Sequence, residues 1–268
     1  MLQGINLVKS LRGQKIIDNV DVQLAPGEIG VIIGPSGSGK TTLIKLLALL
    51  EKPDSGKIVI DDQQMEFPSE LNQLPPWPKV TVVFQQLFLW PHLTLLQNIK
   101  LPLTLRSGWK NNERRQQTAS SLDPNLLKVE RAANINPVQE RRLEDLIELF
   151  EMQNFVNRYP NEASLGQRQR AALVRALVLQ PQYLLLDEIT SSLDVEQISI
   201  ILSYLKRLSK KGIGIMLVTH LLNFAREAAD KVIFIDGGQV IESGGREVLD
   251  APTQDRVKKF LSVIESAS

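Results

Sequence analysis

The segment Gly34-Pro35-Ser36-Gly37-Ser38-Gly39-Lys40-Thr41 matches G-x-x-x-x-G-K-[ST] at every fixed position. It lies between an apolar run, Ile29–Ile33, that reads as a buried strand and a helix-forming run that starts at Thr42. Few short segments constrain a fold as strongly. A strand must enter a glycine-rich turn whose N–H groups point inward, and a helix must leave it with its N-terminus facing the same point. That point suits phosphate. Lys40 would reach the terminal phosphates of a nucleoside triphosphate, and Thr41 would offer its hydroxyl to Mg²⁺. A chance glycine-rich turn is the competing explanation, but it requires neither the strand before nor the helix after.

Composition narrows the classes. At 268 residues the chain has enough material for one large domain, or a domain with a sizeable insertion. Lys+Arg 31 against Asp+Glu 30 leaves a net charge of +1, so nucleic acid is not expected as a partner. With no cysteine, disulfides, thiolate metal sites and cysteine nucleophiles are excluded. Met1–Asn6 lacks the basic-then-apolar pattern of a secretory signal, and no apolar run reaches the roughly 20 residues that cross a bilayer. The expectation is a soluble intracellular protein whose membrane role, if any, comes through a partner.

Along the chain, β-rich runs at Gly4–Lys9, Gln14–Val20 and Val22–Leu24 predict a small antiparallel sheet. Lys57–Ile60 and Val80–Phe84 read as further strands, and three prolines among Leu74–Pro78 exclude regular structure there. From about His92 to Pro160 apolar density falls. Arg106–Ser121 reads as polar and exposed, and Leu143, Leu146, Ile147 and Phe150 share one helical face. Strands and helices then alternate: Tyr183–Leu186, a helix burying Ile198, Ile201, Leu202, Leu205 and Leu208, and Ile213–Val218. A hairpin turns at Asp236-Gly237-Gly238, and a last helix carries Val257, Phe260, Leu261 and Ile264 inward. The pattern is α/β, with a mostly parallel sheet covered on both faces and a helical insertion.

Tyr183–Leu186 ends in Asp187-Glu188, which delivers two carboxylates to the carboxyl edge of the sheet, where the phosphates lie. Asp187 suits Mg²⁺ held through water, and Glu188 suits the water that attacks a γ-phosphate. Two acids closing a core strand are common in isolation; the upstream phosphate loop gives this pair its meaning. Four more elements stand before and after this pair. Gln85 ends Val83-Phe84-Gln85, Ala163-Ser164-Leu165-Gly166-Gln167 precedes an apolar helix, and Ser191–Asp194 and Val218-Thr219-His220 come later.

In this order and spacing, from Gly4 to about Ile264, the chain resembles the ATP-binding subunit of an ATP-binding-cassette transporter. Within that family it is most similar to the ATPases of bacterial polar amino-acid importers, through Val83–Gln86, Phe224–Glu227 and Val257–Leu261. The resemblance implies a P-loop ATPase domain over 1–268, with a core and antiparallel β-subdomain over 1–91 and 161–268 and a helical subdomain over 92–160. ATP would lie on Gly34–Thr42, with Mg²⁺ near Thr41, Gln85 and Asp187. Lys40, Gln85, Glu188 and His220 would be the catalytic set. Ser164, Leu165, Gly166 and Gln167 would meet ATP bound to a second copy, and Asp194 would lie at the interface of the pair. The implied partners are integral membrane permease subunits, a second ATPase subunit and a solute-binding protein acting with the permease, at the cytoplasmic face of the cell membrane.

Two departures bear on function. Leu165 stands where the family signature carries glycine, which implies a weaker ATP-bound pair and slower hydrolysis. Leu11 stands where the family stacks adenine on an aromatic ring, which implies modest affinity and weak discrimination of adenine from guanine. The segment between Asn98 and Tyr159 is also longer than the importer pattern, which would fit an unusual partner or a tolerated surface loop. Two other functions share the motifs: a non-transport ATP-driven clamp, and a nucleotide-binding cassette of low activity paired with another ATPase.

Overall fold

The computed structural model describes the backbone of residues 1–68, 76–112, 135–190 and 195–267. The chain divides into two compact units, one formed by Met1–Gln85 with Pro181–Ser268 and the other by Gln86–Gln180. These bounds place more of the chain in the second unit than the expected 92–160.

The first unit holds two sheets. Strands β1 (Leu2–Leu11), β2 (Gln14–Leu24), β4 (Ser55–Ile60) and β5 (Gln63–Phe67) form an antiparallel sheet in the order β2-β1-β4-β5. Gln14–Val20 and Val22–Leu24, expected as separate runs, are continuous in β2, with a register shift against β1 between Val20 and Val22. Strand β5 had no signal: Gln63, Gln64 and Glu66 are polar and exposed, and it forms as the partner of β4.

The second sheet has the order β10-β9-β3-β8-β7-β6, from β3 (Ile29–Ile33), β6 (Val80–Val83), β7 (Tyr183–Asp187), β8 (Gly214–Val218), β9 (Lys231–Asp236) and β10 (Gln239–Gly244). It is parallel except for the β9–β10 hairpin. Every residue of β3, β7 and β8 is buried, as parallel strands covered on both faces require. The helices of this unit are α1 (Lys40–Leu47), α5 (Val195–Lys210), α6 (Leu222–Ala228), α7 (Glu247–Asp250) and α8 (Asp255–Ala267). Helix α1 joins the two sheets into one core. Leu43, Ile44, Leu46 and Leu47 share a cluster with Leu7, Ile17 and Val20 of the antiparallel sheet and with Leu185 and Val218 of the parallel one. Burying each such side chain contributes about 1.5–3 kcal/mol.

The periodicity of α5 and α8 is realised with one shift. Tyr204 joins Ile201, Leu202, Leu205 and Leu208 as a buried residue, while Ile198 is only half-buried near the helix start. In α8, Phe260 meets Phe234 edge to face at 5.0 Å.

The second unit contains α2 (Leu95–Asn112), α3 (Pro137–Leu149) and α4 (Leu165–Leu177). Leu143, Leu146 and Phe150 are buried as the helical face predicts. Within the polar stretch Arg106–Ser121, Arg106–Asn112 continue α2 and the remainder lies outside the described residues.

Candidate functional site

The parallel strands end nearly level. Val83 of β6 lies opposite Leu186, Asp187 opposite Val218, and Val218 opposite Ile32. The segments that follow therefore leave the sheet along one edge: Gln85 after β6, Glu188 after β7, Gly34 after β3 and His220 after β8.

Close approach dictates the glycines at both ends of the phosphate loop. At Gly34, φ is 150° and a Cβ would lie 2.0 Å from the Ile235 carbonyl oxygen. At Gly39, φ is 102° and a Cβ would lie 2.6 Å from the Ile16 carbonyl oxygen. The β9–β10 hairpin braces the loop from outside: Gly238 N–H donates to Ser38 O at 3.2 Å, and its carbonyl accepts from Asp18 N–H at 2.8 Å. Helix α1 starts from Gly39 with no side-chain cap. Its first-turn N–H groups therefore face the loop with no protein acceptor inside the helix, an arrangement that attracts an anion.

The charged groups gather at that point. Lys40 Nζ donates to Gly34 O at 2.9 Å and Pro35 O at 2.8 Å. Burial lowers its pKa, while Glu188 and Asp187 act in the opposite direction. Thr41 Oγ1 donates to Asp187 Oδ1 at 3.1 Å. Burial raises the Asp187 carboxyl above the ordinary range and the Glu188 charge adds to this, against the Thr41 hydrogen bond and Lys40. Glu188 has φ 51°, a left-handed conformation that costs a non-glycine residue about 1–3 kcal/mol. It is pinned there by its N–H, which donates to Val218 O at 3.0 Å.

Lys40, Thr41, Thr42 and Glu188 line one open cavity of ≈ 340 Å³ with Ser36, Gly37, Gly39 and Ile16. The buried Ser38 Oγ has no hydrogen-bond partner. Uncapped N–H groups, a lysine ammonium and a glycine-built cradle fit a polyphosphate. The Thr41 hydroxyl and Asp187 carboxylate are the hard oxygen donors that suit Mg²⁺. Ile16 is the lining residue that sequence reasoning missed. It enters from β2 through tertiary packing, and no motif marks it.

Other expected residues lie elsewhere. Leu11 ends β1, is 46% exposed and does not line this cavity. Gln85 is exposed at the strand edge. His220 lines a second cavity of ≈ 500 Å³ with residues of α6 and α8, among them Arg226, Ile264 and Glu265, rather than the Lys40–Glu188 cavity. Asp194 lies outside the described residues. In the second unit, Ser164 is the N-cap of α4: its Oγ accepts from Gln167 N–H at 3.3 Å, and Gln167 Oε1 accepts from Ser164 N–H at 3.0 Å. Leu165 is half-buried and Gly166 buried in the first turn behind that cap.

Residues 17–191, more than half of the chain, match the family described as ABC transporter. The chain belongs to the ABC transporter family. It is an ATPase subunit of that family, like those of polar amino-acid importers. It is 36% identical over 266 residues to the arginine transport ATP-binding protein ArtM of Bacillus subtilis (strain 168), covering 98% of this chain and 100% of that protein. It is 35% identical over 263 residues to the glutamine transport ATP-binding protein GlnQ of Escherichia coli (strain K12), covering 97% and 98%. Among solved structures, the ATP-binding cassette MJ0796, a dimer in a post-hydrolysis state bound to ADP and Pi, has a TM-score of 0.71 at 29% identity, covering 92% of this chain and 99% of that one. A nucleotide-free cassette from an ABC transporter, with a TM-score of 0.77 at 21% identity over 97% and 98%, shares the fold.

Proposed function

We propose that two copies of this chain close around ATP, and that hydrolysis drives polar amino-acid import through a separate membrane permease. The observation that carries this is the convergence of Lys40, Thr41 and Glu188 on one cavity beside an uncapped helix, with buried Asp187 hydrogen-bonded to Thr41 behind it. The first-turn N–H groups of α1 and the Lys40 ammonium, released from the Gly34 and Pro35 carbonyls, hold the β- and γ-phosphates and balance their charge. Thr41 and Asp187, with Gln85, would hold Mg²⁺, which when bound would neutralise charge on the phosphate oxygens. Glu188 accepts a hydrogen bond from water and aims it at the γ-phosphorus; Gln85 and His220 leave the sheet at the same edge but do not line this cavity, and they would have to move toward it to share that role. The side chain of Ser164 and the N–H of Gly166 from the second copy meet the same γ-phosphate, so ATP joins the pair and hydrolysis lets it open.

The relatives named for arginine and glutamine transport support the solute class, and the dimeric MJ0796 supports the pairing. Among the described residues no helix is long and apolar enough to cross a membrane. In this reading, which follows the transport relatives, the subunit works at the cytoplasmic face of the cell membrane against permease subunits, with a solute-binding protein delivering to the permease. Leu165 at the first position of α4 favours a second reading, a cassette that binds nucleotide but turns it over weakly beside a more active ATPase.

One assay separates the two. The purified chain should hydrolyse MgATP with saturable kinetics, and Glu188→Gln should lower kcat by about 10² or more while leaving ATP binding in place. Turnover that is absent in both, with ATP still bound, would support the second reading. Turnover that survives Glu188→Gln would remove Glu188 from its role.

A further inference from the structure

Helix α4 carries Ser164 at one end and a guanidinium fork near the other. Arg175 Nη1 donates to Phe88 O at 2.7 Å and Nη2 to Leu87 O at 2.6 Å, so one side chain grips two consecutive carbonyls. Burial lowers the pKa of this guanidinium, and among the described residues no carboxylate forms an ion pair with it. Its charge faces carbonyl dipoles. Phe88 sits at φ 47°, in the left-handed region that disfavours a bulky residue.

The far side of the same segment is held as firmly. Asn98, fully buried, accepts from Trp90 N–H at 2.7 Å and donates to the carbonyls of Trp90, Leu93 and Thr94 at 3.0–3.1 Å. The backbone from Leu87 to Thr94 is thus pinned at both ends, yet Phe88 is 63% and Trp90 48% exposed. The frame holds the main chain and leaves the aromatic rings outside. Helix α4 is itself anchored midway: Arg170 lies 4.7 Å from the centre of the Phe155 ring and donates to Phe150 O at 3.2 Å. Eleven residues at 1.5 Å rise separate Ser164 from Arg175 by about 16 Å, a length over which a helix moves as a rod.

We propose that Arg175 is a positioning residue that ties the Leu87–Trp90 segment to α4, so that engagement of Ser164 by a second copy's ATP displaces the exposed Phe88 and Trp90 rings. The inference rests on the reading that Ser164 meets ATP held by another copy, and it adds the physical link from that contact to a surface of the same unit. A purely structural Arg175 would affect stability and leave no nucleotide signal at Trp90.

Trp90 supplies the readout. The chain has 3 tryptophans, so Trp77→Phe with Trp109→Phe leaves Trp90 alone. Its ring meets His92 edge-on at 5.7 Å, a contact that makes its emission sensitive to small displacements. In a Glu188→Gln background, MgATP is titrated while light scattering follows pairing and fluorescence follows Trp90. The expected result is an emission change that tracks pairing. Arg175→Met should keep the ATP dependence of pairing within about twofold but lose most of the Trp90 amplitude, and Arg175→Lys, with a single ammonium, should retain part of it. Pairing with unchanged Trp90 emission in the Arg175 chain overturns the inference, as does full amplitude in Arg175→Met. The first of these holds even where Arg175→Met does not fold. Failure to pair with ATP overturns the underlying reading and the inference with it.

Discussion

Two helix N-termini of this chain are assigned to the same phosphate chemistry and are built in opposite ways. Helix α1 opens from Gly39 with no side-chain cap, so its N–H groups are completed only by a ligand. Helix α4 opens from Ser164, whose hydroxyl and Gln167 form a reciprocal capping box, so its terminus is partly satisfied within the chain while the Leu165 and Gly166 N–H groups stay open to a ligand. A third, α8, follows a segment capped from a distance: Glu242 of β10 accepts from Thr253 N–H at 2.8 Å and Gln254 N–H at 3.0 Å. The difference is instructive. An open terminus belongs where binding affinity must be high in a single chain. A capped one belongs where the surface must stay folded while it waits for a second chain.

The largest effect that tests this contrast is at α1. Gly39→Ala puts a methyl group 2.6 Å from the Ile16 carbonyl oxygen and strains the left-handed cap. ATP affinity should fall by about tenfold or more, measured by calorimetry. At α4, Ser164→Ala removes a cap worth about 1 kcal/mol, which lowers Tm by about 2–4 °C and leaves the affinity of the isolated chain for ATP unchanged. If Ser164→Ala weakened ATP binding in the single chain as much as Gly39→Ala does, the contrast would collapse. In the same helix, Leu165→Gly should strengthen ATP-dependent pairing and raise turnover a few-fold, by opening the first turn to close approach; unchanged rates would count against Leu165 as the brake.

The smallest effect concerns α8. Burial by itself raises the Glu242 carboxyl, but the N–H and O–H donors from Thr253 and Gln254 outweigh it and hold the group below the usual Glu range. Its stabilisation is therefore fully present above the ordinary Glu pKa and is lost as pH falls through the lowered value. Glu242→Gln should lower Tm at neutral pH by about 1–2 °C, and the gap should close in acid. A gap that widened in acid would reverse the sign of the shift.

The phosphate half of the site is legible from the chain because its chemistry is local. Gly34 to Thr42 are consecutive, and Asp187 and Glu188 close an apolar strand whose register brings them to the same edge. Ser164 is legible for the same reason, since a capping box spans four residues. Ile16 is not, because its place in the cavity depends on β2 packing against the loop, and an isolated isoleucine in a strand is indistinguishable from core. Gly238 and Arg175 are hidden in the same way. Each acts on main-chain atoms far away in sequence, and a carbonyl acceptor leaves no trace in residue identity. The continuous β2 and the polar β5 were obscured because strand pairing, rather than residue type, decides where those strands run.

The central claim is that the α1 terminus takes ATP within one chain and the α4 terminus takes it only from another. Amide hydrogen exchange of the Glu188→Gln chain with saturating MgATP, across a range of protein concentrations, tests it directly. The account predicts that the first turn of α1 gains protection at every concentration, while the first turn of α4 gains it only where light scattering shows pairs. Protection of both termini in the monomer, or of α4 at no concentration despite pairing, would contradict it.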